Sequence, residues 1–209
     1  MTTDKYGLNG QSAWANVRPI RSRPLSSSGS ERNHTLIDYS VLPVLSVSPV
    51  AASEIPIRKA TLADARQIAD LVSLGEREGQ LLPRSLDAIH ASIGNWIIAE
   101  DRARIIGVGS LLEMNHTLVE VRSLAVAPEY RQSGIGSRIV GALVDEARAR
   151  GCPTVFTLTR AVLFFEKLGF VITDKENFSE KVWRDCSMCP VQSACDEVAM
   201  VKSLDSQLE

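Results

Sequence analysis

The sequence predicts an α/β (α+β) domain built on one mixed central sheet, and three observations carry that expectation. Strand-length runs joined by short turns come first, and strands alternating with helices follow them. A strand, a glycine-containing loop and a long amphipathic helix stand together over residues 118–150. Regular periodicity begins only at Ile55, after a serine-rich stretch with scattered prolines and no sustained helical or strand period.

Taken in order, Ile55–Lys59 reads as a short strand. Thr61 opens a helix, with Asp64 placed to complete a capping-box-like pair, and Ala65, Ile68, Ala69, Leu71 and Val72 form its apolar stripe. Ser85 is a second N-cap, with Leu86, Ile89 and Ile93 following on one face. Trp96–Glu100 and Arg104–Leu112 are strands, and Asp101-Arg102-Ala103 between them has the length of a hairpin connection. Leu118–Val126 is the next strand. Ile135–Arg150 is the long helix, with Ile139, Val140, Leu143, Val144 and Ala147 on its apolar face and Gly151 and Pro153 ending it. Val155–Leu158 is a strand, Ala161–Leu168 a short helix and Phe170–Thr173 a strand, with Glu197–Val201 as a closing strand. No internal repeat is present.

Composition narrows the class. A hydrophobic fraction of 44% and a charged fraction of 23% are those of an ordinary soluble globular protein. The formal net charge of -2 supplies no global attraction to nucleic acid or to an anionic membrane. No apolar run approaches the roughly 20 residues of a membrane span. Four cysteines in 209 residues are too sparse for a secreted disulfide scaffold. With no signal-peptide pattern, a cytoplasmic location is expected. Residues 1–54 hold ten serines and read as a disordered N-terminal extension, because they carry too little apolar surface to offset the entropy of ordering. A transit peptide is the lesser reading of that stretch, given Asp4, Glu31, Asp38 and Glu54. Residues 55–204 are expected to form the functional domain, including the cysteine-containing segment 183–200.

The chemistry is concentrated where the strand Leu118–Val126 runs through Ala127-Pro128-Glu129-Tyr130 into Arg131-Gln132-Ser133-Gly134-Ile135-Gly136-Ser137. Gly134 and Gly136 leave the backbone open, so successive N–H groups can converge on one anion. The helix start adds partial positive charge and Arg131 a full one. A pyrophosphate is the natural ligand. No lysine follows Gly136, which speaks against a nucleoside-triphosphate loop, and the spacing is not Gly-x-Gly-x-x-Gly, which speaks against a dinucleotide site. A lone Gly-x-Gly is more often a tight turn.

The longer string SLAVAPEYRQSGIGSRIVGALVDEA is far more specific. It resembles the acetyl-CoA motif of the GNAT acetyltransferase superfamily, and FFEKLGF (Phe164–Phe170) resembles a later segment of the same family. The resemblance covers about residues 55–173. It implies a sheet of about six to seven strands with about four helices, in which the fourth and fifth strands splay apart. It also implies acetyl-CoA as co-substrate, held by Leu124, Ala125 and Val126, by Arg131, Gln132, Ser133, Gly134, Ile135, Gly136 and Ser137, and by Phe165.

Acetyl transfer to an amine needs a neutral amine, a polarised thioester carbonyl and a proton for the departing thiolate. The resemblance places a polarising backbone N–H among Leu124–Val126 and a general base at Glu120. The bland alternative for Glu120 is an ordinary strand carboxylate. Many family members carry a tyrosine as the acid where this chain has Phe165, which cannot donate that proton. The acid is then another side chain, water or no protein group, with Ser123 and Thr159 as the candidate side chains.

The closer resemblance is to N-acetylglutamate synthases of the short form, carried by LLPRS (Leu81–Ser85), EVRSLAV (Glu120–Val126) and TLTRAVLFFEKLGF (Thr157–Phe170). It implies transfer to the α-amine of glutamate or glutamine in the first step of arginine biosynthesis. Arg84 and Arg160 match arginines of those strings, Arg122 shares a strand face with Glu120, and Lys181 is a fourth candidate. Arginines suit an acidic amino acid because their planar fork grips carboxylates bidentately, although any single one can equally be a surface ion pair. Cys186-x2-Cys189-x5-Cys195 has a metal-ligand spacing but lacks a fourth ligand, so zinc is the lesser reading and reduced thiols the greater. A small-molecule partner is expected, with neither nucleic acid nor membrane, and a homodimer is compatible with the sequence. Two rivals keep the fold: an acetyltransferase for a protein N-terminus, polyamine or antibiotic, and a non-catalytic acetyl-CoA sensor.

Overall fold

The computed structural model describes residues 52–179, 186–189 and 192–204. The readings placed on residues 1–51 and on Lys181 lie outside the described residues. Seven strands form one mixed sheet: β1 (Ile57–Lys59), β2 (Trp96–Asp101), β3 (Arg104–Asn115), β4 (Leu118–Val126), β5 (Thr154–Thr159), β6 (Val171–Thr173) and β7 (Val198–Ser203), in the order β1-β2-β3-β4-β5-β7-β6. The helices are α1 (Ala65–Arg77), α2 (Leu86–Ala91), α3 (Ile135–Ala149) and α4 (Val162–Glu166). None of the described helices is long and apolar enough to cross a membrane.

The element order is the expected one, with differences at the ends that have local causes. The first helical turn after Thr61 is a 3₁₀ turn, Leu62–Asp64, before α1 proper. Ile93 does not belong to α2. The helix stops at Ala91, and Ser92 turns the chain by donating to the Ala88 carbonyl (2.7 Å) while accepting from Trp96 Nε1 (3.1 Å). The closing strand begins at Val198 and runs on to Ser203, antiparallel to β5 along its whole length. It therefore inserts between β5 and β6, a placement that its own periodicity does not encode.

The site is created by how β4 and β5 pair. They are parallel, and their ladder holds only from Leu118–Thr154 to Glu120–Phe156. Past Glu120 the two strands pair no further: β4 continues on β3 to Val126, and β5 continues on β7 to Thr159. A wedge lined by backbone opens between them. Helix α3 closes one face, with Ile135, Ile139 and Leu143 packed against Gly107 and Gly109, where a Cβ would come within 2.7–3.0 Å of their side chains. Gly107 and Gly109 are therefore required by close approach. By register, Glu120 stands opposite Leu112 and Arg122 opposite Ser110, on the face turned away from α3.

The start of α1 is fixed by a three-residue ion cluster. Arg58 donates to Asp64 through both terminal nitrogens (2.7 and 2.9 Å) and to Glu100 (2.6 and 2.9 Å), while Thr61 N–H and Oγ1 donate to Asp64 Oδ2. The Arg58 guanidinium holds the Asp64 carboxyl well below its ordinary value of 3.8. A carboxylate depressed in the folded state adds stability that is complete above its unfolded pKa and fades as pH falls through the folded one. Asp64→Asn is expected to lower unfolding stability by about 1–3 kcal/mol at neutral pH, with the gap to the parent closing below about pH 4. Urea midpoints across that range check this, and a gap independent of pH would assign the loss to something other than the ion pair.

Candidate active site

The wedge between β4 and β5 opens beside the loop that starts α3. Tyr130 ties this loop to the β2–β3 hairpin, donating its hydroxyl to Asp101 (2.6 Å), and Ser133 Oγ donates to the Tyr130 carbonyl (2.5 Å). Gln132 and Gly134 both have positive φ, 64° and 91°. Gly134 is the N-cap of α3, and a Cβ there would meet nothing within 4 Å, so the backbone conformation demands glycine and the space above it is open. Ile135 is buried beneath the loop, while Arg131 to Gly134 are exposed. An open loop, a left-handed turn and the N-terminus of a 15-residue helix form a fitting cradle for a pyrophosphate.

Arg131 does not hang free over that cradle. Its Nε donates to the Val126 carbonyl (3.1 Å) and its Nη2 pairs with Glu78 (2.5 Å). Glu78, at the end of α1, was not legible as a site residue in the sequence. Phe165, which the family resemblance places beside the cofactor, lies at the start of the closing turn of α4. It is buried, with its ring edge-on to Phe164 (5.0 Å) and Phe170 (5.2 Å), and the Phe170 N–H closes the helix end onto the Phe165 carbonyl (3.1 Å). The Phe164 ring lies 3.5 Å from the position a Cβ of Gly136 would occupy.

A bulge in β4 arranges the other side of the wedge. Register shifts between Val108–Ala125 and Ser110–Arg122, so Ser123 and Leu124 together oppose Gly109. Ser123 takes φ 54°, rare for a residue with a side chain. Leu124, Ala125 and Val126 line the unpaired stretch, and Leu124 and Val126 turn toward α3 and its loop. Glu120, 3% exposed, is the last β4 residue paired with β5, so it stands at the fork itself. Arg84, from the α1–α2 connection, donates Nε to Ser123 Oγ (3.4 Å), and Arg122 lies half-buried on the Glu120 face. Glu120 and Arg122 thus share one face of β4, and Arg84 meets the strand at the next residue, Ser123.

Arg160 sits one residue beyond β5. Its Nε pairs with Asp196 and its Nη1 donates to the Gly79 carbonyl (2.9 Å). The ion pair raises the Arg160 pKa and holds the Asp196 carboxyl below its usual range. The Thr159 hydroxyl accepts from the Ala161 N–H (2.9 Å) at the turn into α4. Cys186, Cys189 and Cys195 are half-buried and form no disulfide among the described residues, with Lys175 Nζ 3.4 Å from Cys195 Sγ. Among the described residues no group of three or more His, Cys, Asp or Glu is arranged to hold a metal ion.

Comparison with known proteins agrees with this geometry. The profile of the acetyltransferase (GNAT) family matches residues 63–170. An uncharacterized N-acetyltransferase of Chlorobaculum tepidum is 38% identical over 153 residues, covering 73% of this chain and 99% of that protein. The amino-acid acetyltransferase of Pseudomonas fluorescens is 33% identical over 116 residues, 54% of this chain but only 27% of that protein. The chain therefore spans about a quarter of the longer amino-acid acetyltransferases it resembles. Among solved structures, Rv2747 from Mycobacterium tuberculosis in complex with CoA has a TM-score of 0.63 at 26% identity, covering 71% of this chain and 99% of that one. N-acetylglutamate synthase from Neisseria gonorrhoeae, complexed with coenzyme A and N-acetyl-glutamate, has a TM-score of 0.63 at 25% identity, over 72% of this chain and 35% of that one.

Proposed function

The chain belongs to the acetyltransferase (GNAT) family, and from that premise we propose that it acetylates the α-amine of glutamate, an acidic amino acid, or of its neutral amide glutamine, using acetyl-CoA. The observation that carries the acceptor is the placing of arginines around the β4–β5 fork: Arg84 against Ser123, Arg122 on the Glu120 face and Arg160 at the end of β5. Cationic acceptors such as polyamines would call for acidic groups in these positions. The amino-acid acetyltransferases and the N-acetylglutamate synthase structure among its relatives support the same choice.

Acetyl-CoA supplies the acetyl group as a thioester, and the chain does the rest. The loop amides of 132–136 and the α3 N-terminus hold the pyrophosphate. The backbone of Leu124–Val126, left unpaired toward β5, offers N–H donors to the thioester carbonyl. Glu120 takes the proton from the acceptor amine, and the arginines orient its carboxylates. Ser123 is the hydroxyl nearest the bulge, and its bond with Arg84 makes it a positioning group for that arginine as well as the candidate acid.

A coenzyme-A thiol-release assay against a panel of amino acids and amines tests this. Release with glutamate or glutamine supports it. Release only with amines would move the acceptor to another class, and none at all would leave an acetyl-CoA-binding module.

A further inference from the structure

The C-terminus of α1 is built as a rigid turn. The Gln80 N–H donates to the Gly75 carbonyl and the Gly79 N–H to the Glu76 carbonyl, both at 2.8 Å. This is the pair of bonds that closes a helix through a left-handed residue, here Gly79 at φ 69°. Leu81 packs back onto Gly75, where a Cβ would lie 2.8 Å from its Cδ1. Two bonds leave this turn from adjacent residues toward different sides of the wedge. Glu78 holds Arg131, which opens the anion loop, and the Gly79 carbonyl holds Arg160. Further along the same connection, Arg84 reaches Ser123.

We propose that Glu78 is a positioning residue for the acceptor. It anchors the turn to the cofactor loop, so the placement of Arg160 and Arg84 depends on a contact made with Arg131. The inference rests on the reading of Arg84 and Arg160 as acceptor ligands. Because the turn is held by its own backbone bonds, releasing it at Glu78 moves Gly79 and the chain leading to Arg84 as a unit. The same release frees the Arg131 guanidinium for the anion loop. The two substrates therefore respond in opposite senses, which a merely structural role does not produce.

The test is Glu78→Gln, with initial rates measured while each substrate is varied and acetyl-CoA affinity measured by calorimetry. The pair is partly exposed, so the acceptor KM is expected to rise about two- to fivefold, with kcat held and acetyl-CoA bound equally or more tightly. Glu78→Asp is expected to restore part of the loss. In an Arg131→Gln background at saturating acetyl-CoA, Glu78→Gln is expected to add nothing. An unchanged acceptor KM, parallel weakening of both substrates, or an undiminished effect in the Arg131→Gln background each overturns the proposal. A parent enzyme that is inert with every amino acid overturns the acceptor reading itself, and this inference falls with it. A parent active on glutamate with an indifferent Glu78→Gln variant overturns the inference alone.

Discussion

Glu120→Gln is expected to lower kcat by about 10²- to 10⁴-fold, the usual worth of a positioned general base, while the affinity for acetyl-CoA stays unchanged. The argument starts from position. Glu120 pairs with Phe156 at the last rung of the β4–β5 ladder, so its carboxylate belongs to the strand position where the wedge begins. At 3% exposure it is screened from bulk water, as a group that must accept one proton from a bound amine should be. Glutamine keeps its shape and much of its hydrogen bonding but cannot accept that proton. A loss confined to kcat, with acetyl-CoA binding and thermal stability preserved, separates the loss of a base from disruption of the β4–β5 fork. A fall of less than tenfold would return Glu120 to the status of a structural carboxylate.

Arg160→Ala is expected to raise the KM for the acidic acceptor by about 10- to 100-fold, the equivalent of about 1.5–3 kcal/mol for charge-assisted hydrogen bonds, with the KM for acetyl-CoA within about twofold. The guanidinium is already oriented from two sides, by Asp196 and by the Gly79 carbonyl. Arginine placed in advance loses less entropy when it meets a carboxylate, and its planar fork can bind bidentately. Steady-state kinetics with each substrate varied in turn check the prediction. Equal increases in both KM values would remove Arg160 from the acceptor set and leave it as a tie between the end of β5 and the α1 turn.

The features legible in the sequence share a scale. The apolar stripe of α3, the hairpin of β2 and β3, the Thr61–Asp64 cap and the open loop before α3 are each set by residues a few positions apart. Glu120 and the loop residues are identified through the family resemblance, whose motif one strand and one loop carry in a fixed order. Phe165 marks the limit of such a motif, which gives a residue's order but not which way its ring turns. Its burial follows from the helix-ending bond to Phe170 and the packing of the two rings.

The sequence alone determined the elements, the open glycine loop before α3 and the strand that leads into it, because periodicity, glycine placement and capping act through nearest neighbours along the chain. Only the tertiary structure decided that β7 enters between β5 and β6, that β4 and β5 part after Glu120, and that Glu78 and Gly79 reach Arg131 and Arg160 across separations of 53 and 81 residues. An arginine advertises a charge to every carboxylate and carbonyl in the chain alike, and its partner is chosen by which backbones the packed core brings within about 3 Å of it.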